Sequence, residues 1–131
     1  MRIDILTLFP EMFRGPFDES IIKRGAQDGL VDIHFHQIRD YSRSKHGKVD
    51  DYPFGGGMGM VMQAEPIMDC LKVVKEQNQG LVILTTPRGR RFDQKLARQL
   101  AKEDGLIFIC GHYEGVDERV KELAVDMEVL L

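Results

Sequence analysis

Four stretches of this chain carry a clear apolar pattern, and a pattern-breaking residue ends most of them. Arg2 to Phe9 gathers Ile3, Ile5, Leu6, Leu8 and Phe9 and stops at Pro10, which predicts a buried strand. Residues 31–38 (VDIHFHQI) alternate with period two, setting Val31, Ile33, Phe35 and Gln37 on one face and Asp32, His34, His36 and Ile38 on the other. This predicts a second strand with one polar face. Residues 81–87 (LVILTTP) and 106–112 (LIFICGH) are continuous apolar runs closed by Pro87 and Gly111, the pattern of central strands in a parallel sheet. Between them Leu96 and Leu100 stand at i, i+4 and Gly105 supplies a helix stop. The unit is strand, helix, strand, with a right-handed crossover expected.

Two more helices complete the pattern. One starts near Asp18, Glu19 and Ser20 and stops at Gly29; the other spans Ala64 to Gln77, with Pro66 in its first turn and Ile67, Leu71 and Val74 along one face. From Arg39 to Gly59 both periods vanish, leaving a connection of a length that compact domains keep for function or disorder. No repeat or linker divides the chain, so the expected fold is one α/β domain on a mainly parallel sheet.

Composition narrows the class. With 131 residues, 43% hydrophobic and 30% charged, the chain is large enough for one core and unlike a disordered segment. Cys70 and Cys110 lie far apart without metal spacing, which predicts packed thiols and a reducing, cytoplasmic setting. Asp4 and Pro10 interrupt the apolar N-terminus, so neither a signal core nor a membrane span is expected. A net charge of −3 argues against indiscriminate nucleic-acid binding but leaves local basic patches open.

In an open parallel sheet, ligands collect at the carboxyl ends of the strands. Two loops there are candidates: residues 85–91 (TTPRGRR) and residues 111–120 (GHYEGVDERV), which should lie side by side. Each has a glycine where backbone comes close to something, and Tyr113 and Glu114 add an aromatic face and a carboxylate. The plainer reading is that the glycines turn the chain and that Asp117 and Glu118 cap a helix. Neither loop carries a GxGxxG or GxxxxGK phosphate signature. Ahead of the glycine run at Gly55, Gly56, Gly57 and Gly59, the segment 39–51 concentrates Arg39, Arg43, Lys45, His46 and Lys48 beside Tyr41 and Tyr52. Cations with aromatic neighbours suit a nucleic-acid backbone, and Asp50 and Asp51 could accept from a base edge. A solvated loop is the plainer alternative. His34 and His36 share a strand face without a third metal ligand.

Taken together, LTLFPEMF, IRDYS, VDDYPFGGGMGMVM, LTTPRGRRFDQ and ICGHYEGVDERV resemble the bacterial tRNA (guanine-N1)-methyltransferase family, TrmD, of the SPOUT superfamily, over the chain up to about Met127. The resemblance implies a homodimeric trefoil-knot enzyme that transfers methyl from S-adenosylmethionine to N1 of the guanine 3′ of the tRNA anticodon. It implies cofactor contacts from Thr86, Pro87, Arg88, Gly89, Gly111, Tyr113 and Glu114. It also turns Asp50, the glycine run (Gly55, Gly56, Gly57, Gly59) and Arg43, Lys45 and His46 towards tRNA. Whether magnesium joins the carboxylates is left open.

The chemistry needs a carboxylate to take the N1 proton and a cation near O6. In the family an aspartate and an arginine serve, and they lie beyond the matched region, as do the knot-threading SIGDYVLTGG-like loop and the C-terminal tRNA-gripping domain. The expectation is therefore that these 131 residues form an incomplete N-terminal domain, with no catalytic residue in this chain and little or no turnover alone. Arg88 stands where the family usually has glutamine, and the ending departs from the pattern after Glu128. The alternatives are a different α/β enzyme using the same loops and a non-catalytic RNA-binding module.

Overall fold

A computed structural model of the chain describes residues 1–13, 24–25, 27–52, 59–112 and 115–131. Its strands are β1 (Arg2–Thr7), β2 (Asp32–Gln37), β3 (Asp50–Asp51), β4 (Val61–Met62), β5 (Leu81–Arg91), β6 (Gly105–Cys110) and β7 (Met127–Leu130). Its longer helices are α1 (Ala64–Val74), α2 (Gln94–Leu100) and α3 (Glu118–Ala124). Five strands form one sheet in the order β2-β1-β6-β5-β7, and every neighbouring pair is parallel. β3 and β4 form a separate antiparallel ribbon.

The apolar runs are continuous because the central strands bury both faces. On one face Leu6, Val82, Leu84, Ile107 and Ile109 pack against Ile67, Cys70, Leu71 and Val74 of α1 and Val120 of α3. On the other, Ile83, Leu106 and Val129 meet Leu96 and Leu100 of α2. The i, i+4, i+7 spacing of Ile67, Leu71 and Val74 thus becomes a buried stripe, in which each side chain contributes about 1.5–3 kcal/mol. Burial pushes the Cys70 thiol up to about 12, with the nearby Asp4 and Asp40 charges adding to the effect, as expected of a packed and unreactive cysteine.

Several boundaries differ from the sequence expectation. β5 does not stop at Pro87; it runs to Arg91 through a register shift against β7 between Thr85 and Arg90, and proline is tolerated at such a bulge. Gly105 is not a helix cap. Ala101 ends α2, and Gly105 opens β6, where a Cβ would sit 2.3 Å from Asn78 Oδ1. β7 was not anticipated, because four residues at the chain's end give little periodicity to read. A 3-10 turn (Ile38–Tyr41) opens the aperiodic stretch after β2, β3 lies within it, and β4 just beyond it completes the ribbon. The start of the first expected helix lies outside the described residues, but its stop is as anticipated. Gly29 has φ +74° and Leu30 N donates to Gly25 O at 2.9 Å, a Schellman closure.

One polar knot sits inside the apolar core. The Asp4 carboxylate is fully buried and accepts from Arg2 Nε (2.9 Å) and Asn78 Nδ2 (2.8 Å), while His36 Nε2 lies 2.7 Å away. Burial alone would raise the Asp4 pKa; donation from Arg2, Asn78 and His36 outweighs it and holds the group below its ordinary value. A carboxylate with a depressed folded-state pKa stabilises the fold above its unfolded value of about 3.9 and loses that contribution as pH falls through the folded value. Urea unfolding followed against pH is therefore expected to give a stability that declines below about pH 4, with a smaller decline in Asp4→Asn. An identical acid limb in that variant would assign the decline to other carboxylates.

Candidate functional site

Three segments meet at the carboxyl end of the sheet. The first is the β5 bulge. Thr85 is the last β5 residue paired with β6, and Thr86, Pro87, Arg88 and Gly89 arch between the two stretches paired with β7. Pro87 and Arg88 are exposed, and Arg88 N donates to Thr86 Oγ1 at 3.3 Å. A Cβ on Gly89 would lie 2.4 Å from Val129 N, so this glycine lets β5 and β7 approach.

The second segment leaves β6. Gly111 N donates to Thr85 Oγ1 at 3.2 Å, and a Cβ on Gly111 would come within 2.7 Å of Thr85 O. His112 meets Phe9, just past β1, in an edge-to-face contact at 4.8 Å. The side-by-side placement of the two loops is therefore as the strand pattern led us to expect. The glycines, however, already have an intramolecular reason: each admits neighbouring backbone. Tyr113 and Glu114 lie outside the described residues.

The third segment is the ribbon, where Asp50 pairs with Met62 and Asp51 with Val61. Gly55, Gly56 and Gly57 lie outside the described residues, but both ends of the glycine-rich stretch are held. Met62 N donates to Gly115 O (2.9 Å), Asp117 N donates to Met62 O (3.0 Å) and Gly59 takes φ +86°. These bonds tie the C-terminal flank of the glycine run to the loop that leaves β6, and the β3–β4 pairing holds the other flank beside it. Gly115, at φ +131° with open space around its Cβ position, is a glycine for conformational reasons.

Beside the ribbon lies a polar cleft of about 280 Å³ lined by Asp51, Tyr52, Gln63, Glu65, Asp117 and Arg119, among others. Asp117 caps α3 by accepting from Arg119 N, and the Arg119 guanidinium at 2.8 Å holds the Asp117 carboxyl below its usual range despite partial burial. The capping role anticipated for Asp117 is thus correct; Glu118 is the first helical residue. Glu65 lines this cleft and lies 3.5 Å from Arg43, so the basic segment borders the same region. A larger apolar cavity of about 400 Å³ lies on the α2 face among Met1, Ile3, Leu30, Leu100 and Phe108, remote from these loops.

Lys45 and His46 are exposed, as a phosphate-facing role requires, and Asp50 is half-buried. Arg43 is already engaged with carboxylates on α1. His34 and His36 turn to different partners, Asp32 and Asp4, so they do not form a metal pair. Sequence reasoning missed Thr85, whose hydroxyl joins the two exits, and Glu65, hidden in a helix start; the Thr-Thr step before Pro87 was the one available signal for the former.

The chain has counterparts among known proteins. A family model described as tRNA (Guanine-1)-methyltransferase TrmD matches residues 1–131, so the likeness continues past Met127 to Leu131. A tRNA (guanine-N(1)-)-methyltransferase of Geobacter metallireducens is 58% identical over 98% of this chain and 53% of its own length. One from Clostridium botulinum strain Langeland is 57% identical over 100% of this chain and 54% of its own. The crystal structure of the tRNA (m1G37) methyltransferase from Aquifex aeolicus superposes with a TM-score of 0.90 at 39% identity, covering all of this chain and 59% of that one. The chain thus spans about half the length of the curated relatives it matches. With a match from the first residue to the last, and a fold shared with a solved relative, the chain belongs to the tRNA (guanine-1)-methyltransferase TrmD family.

Proposed function

We propose that this chain is the N-terminal, cofactor-binding part of a cytoplasmic, homodimeric tRNA methyltransferase that acts on N1 of the guanine 3′ of the anticodon. The observation that carries the reading is the junction of the β5 bulge, the β6 exit loop and the held ends of the glycine-rich stretch. S-adenosylmethionine supplies an electrophilic methyl group when bound. Its fit here rests on the exposure of Pro87, Arg88 and Gly111 on adjacent strand exits, with no GxGxxG or GxxxxGK phosphate signature in the sequence to demand a polyanion.

In this reading Thr86, Pro87, Arg88, Gly89 and Gly111, with Tyr113 and Glu114, form one wall of the adenosyl site. Gly55, Gly56, Gly57 and Gly59 leave room for the flipped guanine, and Asp50 accepts from a base edge. The guanine lies in the single-stranded anticodon loop, so flipping has to lift it off its stacked neighbours to present N1. The carboxylate that takes the N1 proton and the cation at O6 come from the part of the family's length beyond these residues. A positioned base of this kind contributes about 10²–10⁴-fold.

The division of labour can be tested by titrating S-adenosylmethionine into a full-length family protein containing this chain and into a folded polypeptide of residues 1–131. The full-length protein should bind and should methylate guanine N1, read by mass spectrometry of tRNA digests. The 131-residue polypeptide should bind at least tenfold more weakly and give no product. Turnover by the short polypeptide would overturn the assignment of base and cation; its absence from the full-length protein would overturn the function.

A further inference from the structure

The basic segment contains two kinds of cation. Arg39 Nη1 donates to Gly47 O at 2.8 Å, supporting a glycine at φ +66°. Arg43 lies against α1, with Nε and Nη2 donating to Asp69 Oδ2 and Oδ1 at 3.2 and 3.3 Å and Nη1 3.5 Å from Glu65 Oε2. Between these clasps the tip is ordered by its own serines. Ser42 Oγ donates to Lys48 O and accepts from Ser44 N, and Ser44 Oγ accepts from His46 N. Lys45, His46 and Lys48 are exposed, and none forms an ion pair among the described residues.

A phosphate arriving at Arg43 would also face Asp69 and Glu65, a local balance of one positive against two negative charges. Direct phosphate contact is thus unfavourable at Arg43 and favourable at Lys45 and Lys48. The fork geometry of the guanidinium on one carboxylate is the arrangement that fixes orientation. Both roots of the tip are firm, since Ile38 and Val49 are buried and Gln63 N donates to Val49 O at 2.7 Å.

We propose that Asp69 is a positioning residue for RNA binding: its two-point hold on Arg43 fixes the 43–48 tip on α1, so that Lys45, His46 and Lys48 meet the RNA backbone as a preformed set. The proposal rests on the functional reading above. Ordering the cations in advance removes part of the entropy lost on binding.

Charge alone predicts the opposite sign for one variant, which makes the test sharp. Neutralising a carboxylate beside a polyanion site should tighten binding; loss of the hold should weaken it. In the full-length protein, Asp69→Asn is expected to weaken binding of an unmodified tRNA transcript about three- to fivefold, the modest size reflecting the exposure of the pair. S-adenosylmethionine affinity and the slope of binding against salt should not change. Lys45→Ala and Lys48→Ala should each reduce that slope by roughly 0.7–0.9. The exchange Arg43→Asp with Asp69→Arg should recover most of the lost affinity, which a general loss of folding would not allow. Tighter or unchanged tRNA binding by Asp69→Asn would overturn the proposal and leave the functional reading intact. Failure of the unaltered protein to bind tRNA would overturn both.

Discussion

Asn78→Ala is expected to destabilise the fold by about 3 kcal/mol, a large share of the 5–15 kcal/mol typical of a domain. Asn78 is 3% exposed, and its amide makes four hydrogen bonds, the longest from Nδ2 to Arg2 O at 3.4 Å. Nδ2 donates to Asp4 Oδ2 at 2.8 Å and to Leu106 O at 3.1 Å, while Oδ1 accepts from Gly80 N at 2.9 Å. Alanine would take a donor from the Leu106 carbonyl and from a buried carboxylate, and an acceptor from the Gly80 N–H. Each loss is worth about 1–3 kcal/mol, and the remaining donors to Asp4 limit the total. The measurement is the urea midpoint at constant m-value. A loss under about 1 kcal/mol would mean that water replaces the amide and that the knot is less closed than its geometry implies. Because Gly80 directly precedes β5 and Gly105 opens the adjacent β6, the variant also tests whether this end of the sheet sets the register of the other.

Gly111→Ala should have the largest effect on activity, reducing kcat/KM of the full-length enzyme about 100-fold. The added Cβ would fall 2.7 Å from Thr85 O, a backbone atom that cannot rotate aside, so the β5 and β6 exits must separate. Misplacement of about 1 Å in positioning groups costs on the order of 10²-fold in rate. Thr85→Val removes only the 3.2 Å bond to Gly111 N and should lose roughly fivefold. Steady-state kinetics of the two variants, beside their thermal midpoints, separates the site from the fold. Should Gly111→Ala retain more than a third of wild-type kcat/KM, the two exits need not be locked together for transfer, and the junction would lose its claim as the site.

The fold was largely legible because parallel strands buried on two faces leave unbroken apolar runs, as at residues 81–84 and 106–109. What escaped was decided by contacts distant in sequence. Pro87 marks a stop in one strand read alone, yet β5 continues because β7 supplies a second, shifted set of partners. Gly105 looks like a helix cap until Asn78, from another part of the chain, claims the space a side chain would need. At the candidate site, strand position led to two loops that the structure brings side by side, and the motifs led to the family. The close backbone approach expected at the glycines is present, and what Gly89 and Gly111 admit is the backbone of Val129 and Thr85. Arg43 could not be separated from Lys45 by sequence, because its carboxylate partner lies 26 residues away.

The strand order also bears on synthesis. β1 precedes the other strands of its sheet in the chain, and β2 covers one of its edges once residues 32–37 emerge. Its other edge is reserved for β6, which arrives roughly seventy residues later, or roughly 4 to 15 s at ordinary elongation speeds. For that interval the nascent chain presents an apolar strand with open backbone donors and acceptors, a natural ligand for a ribosome-associated chaperone and a starting point for aggregation if none is at hand.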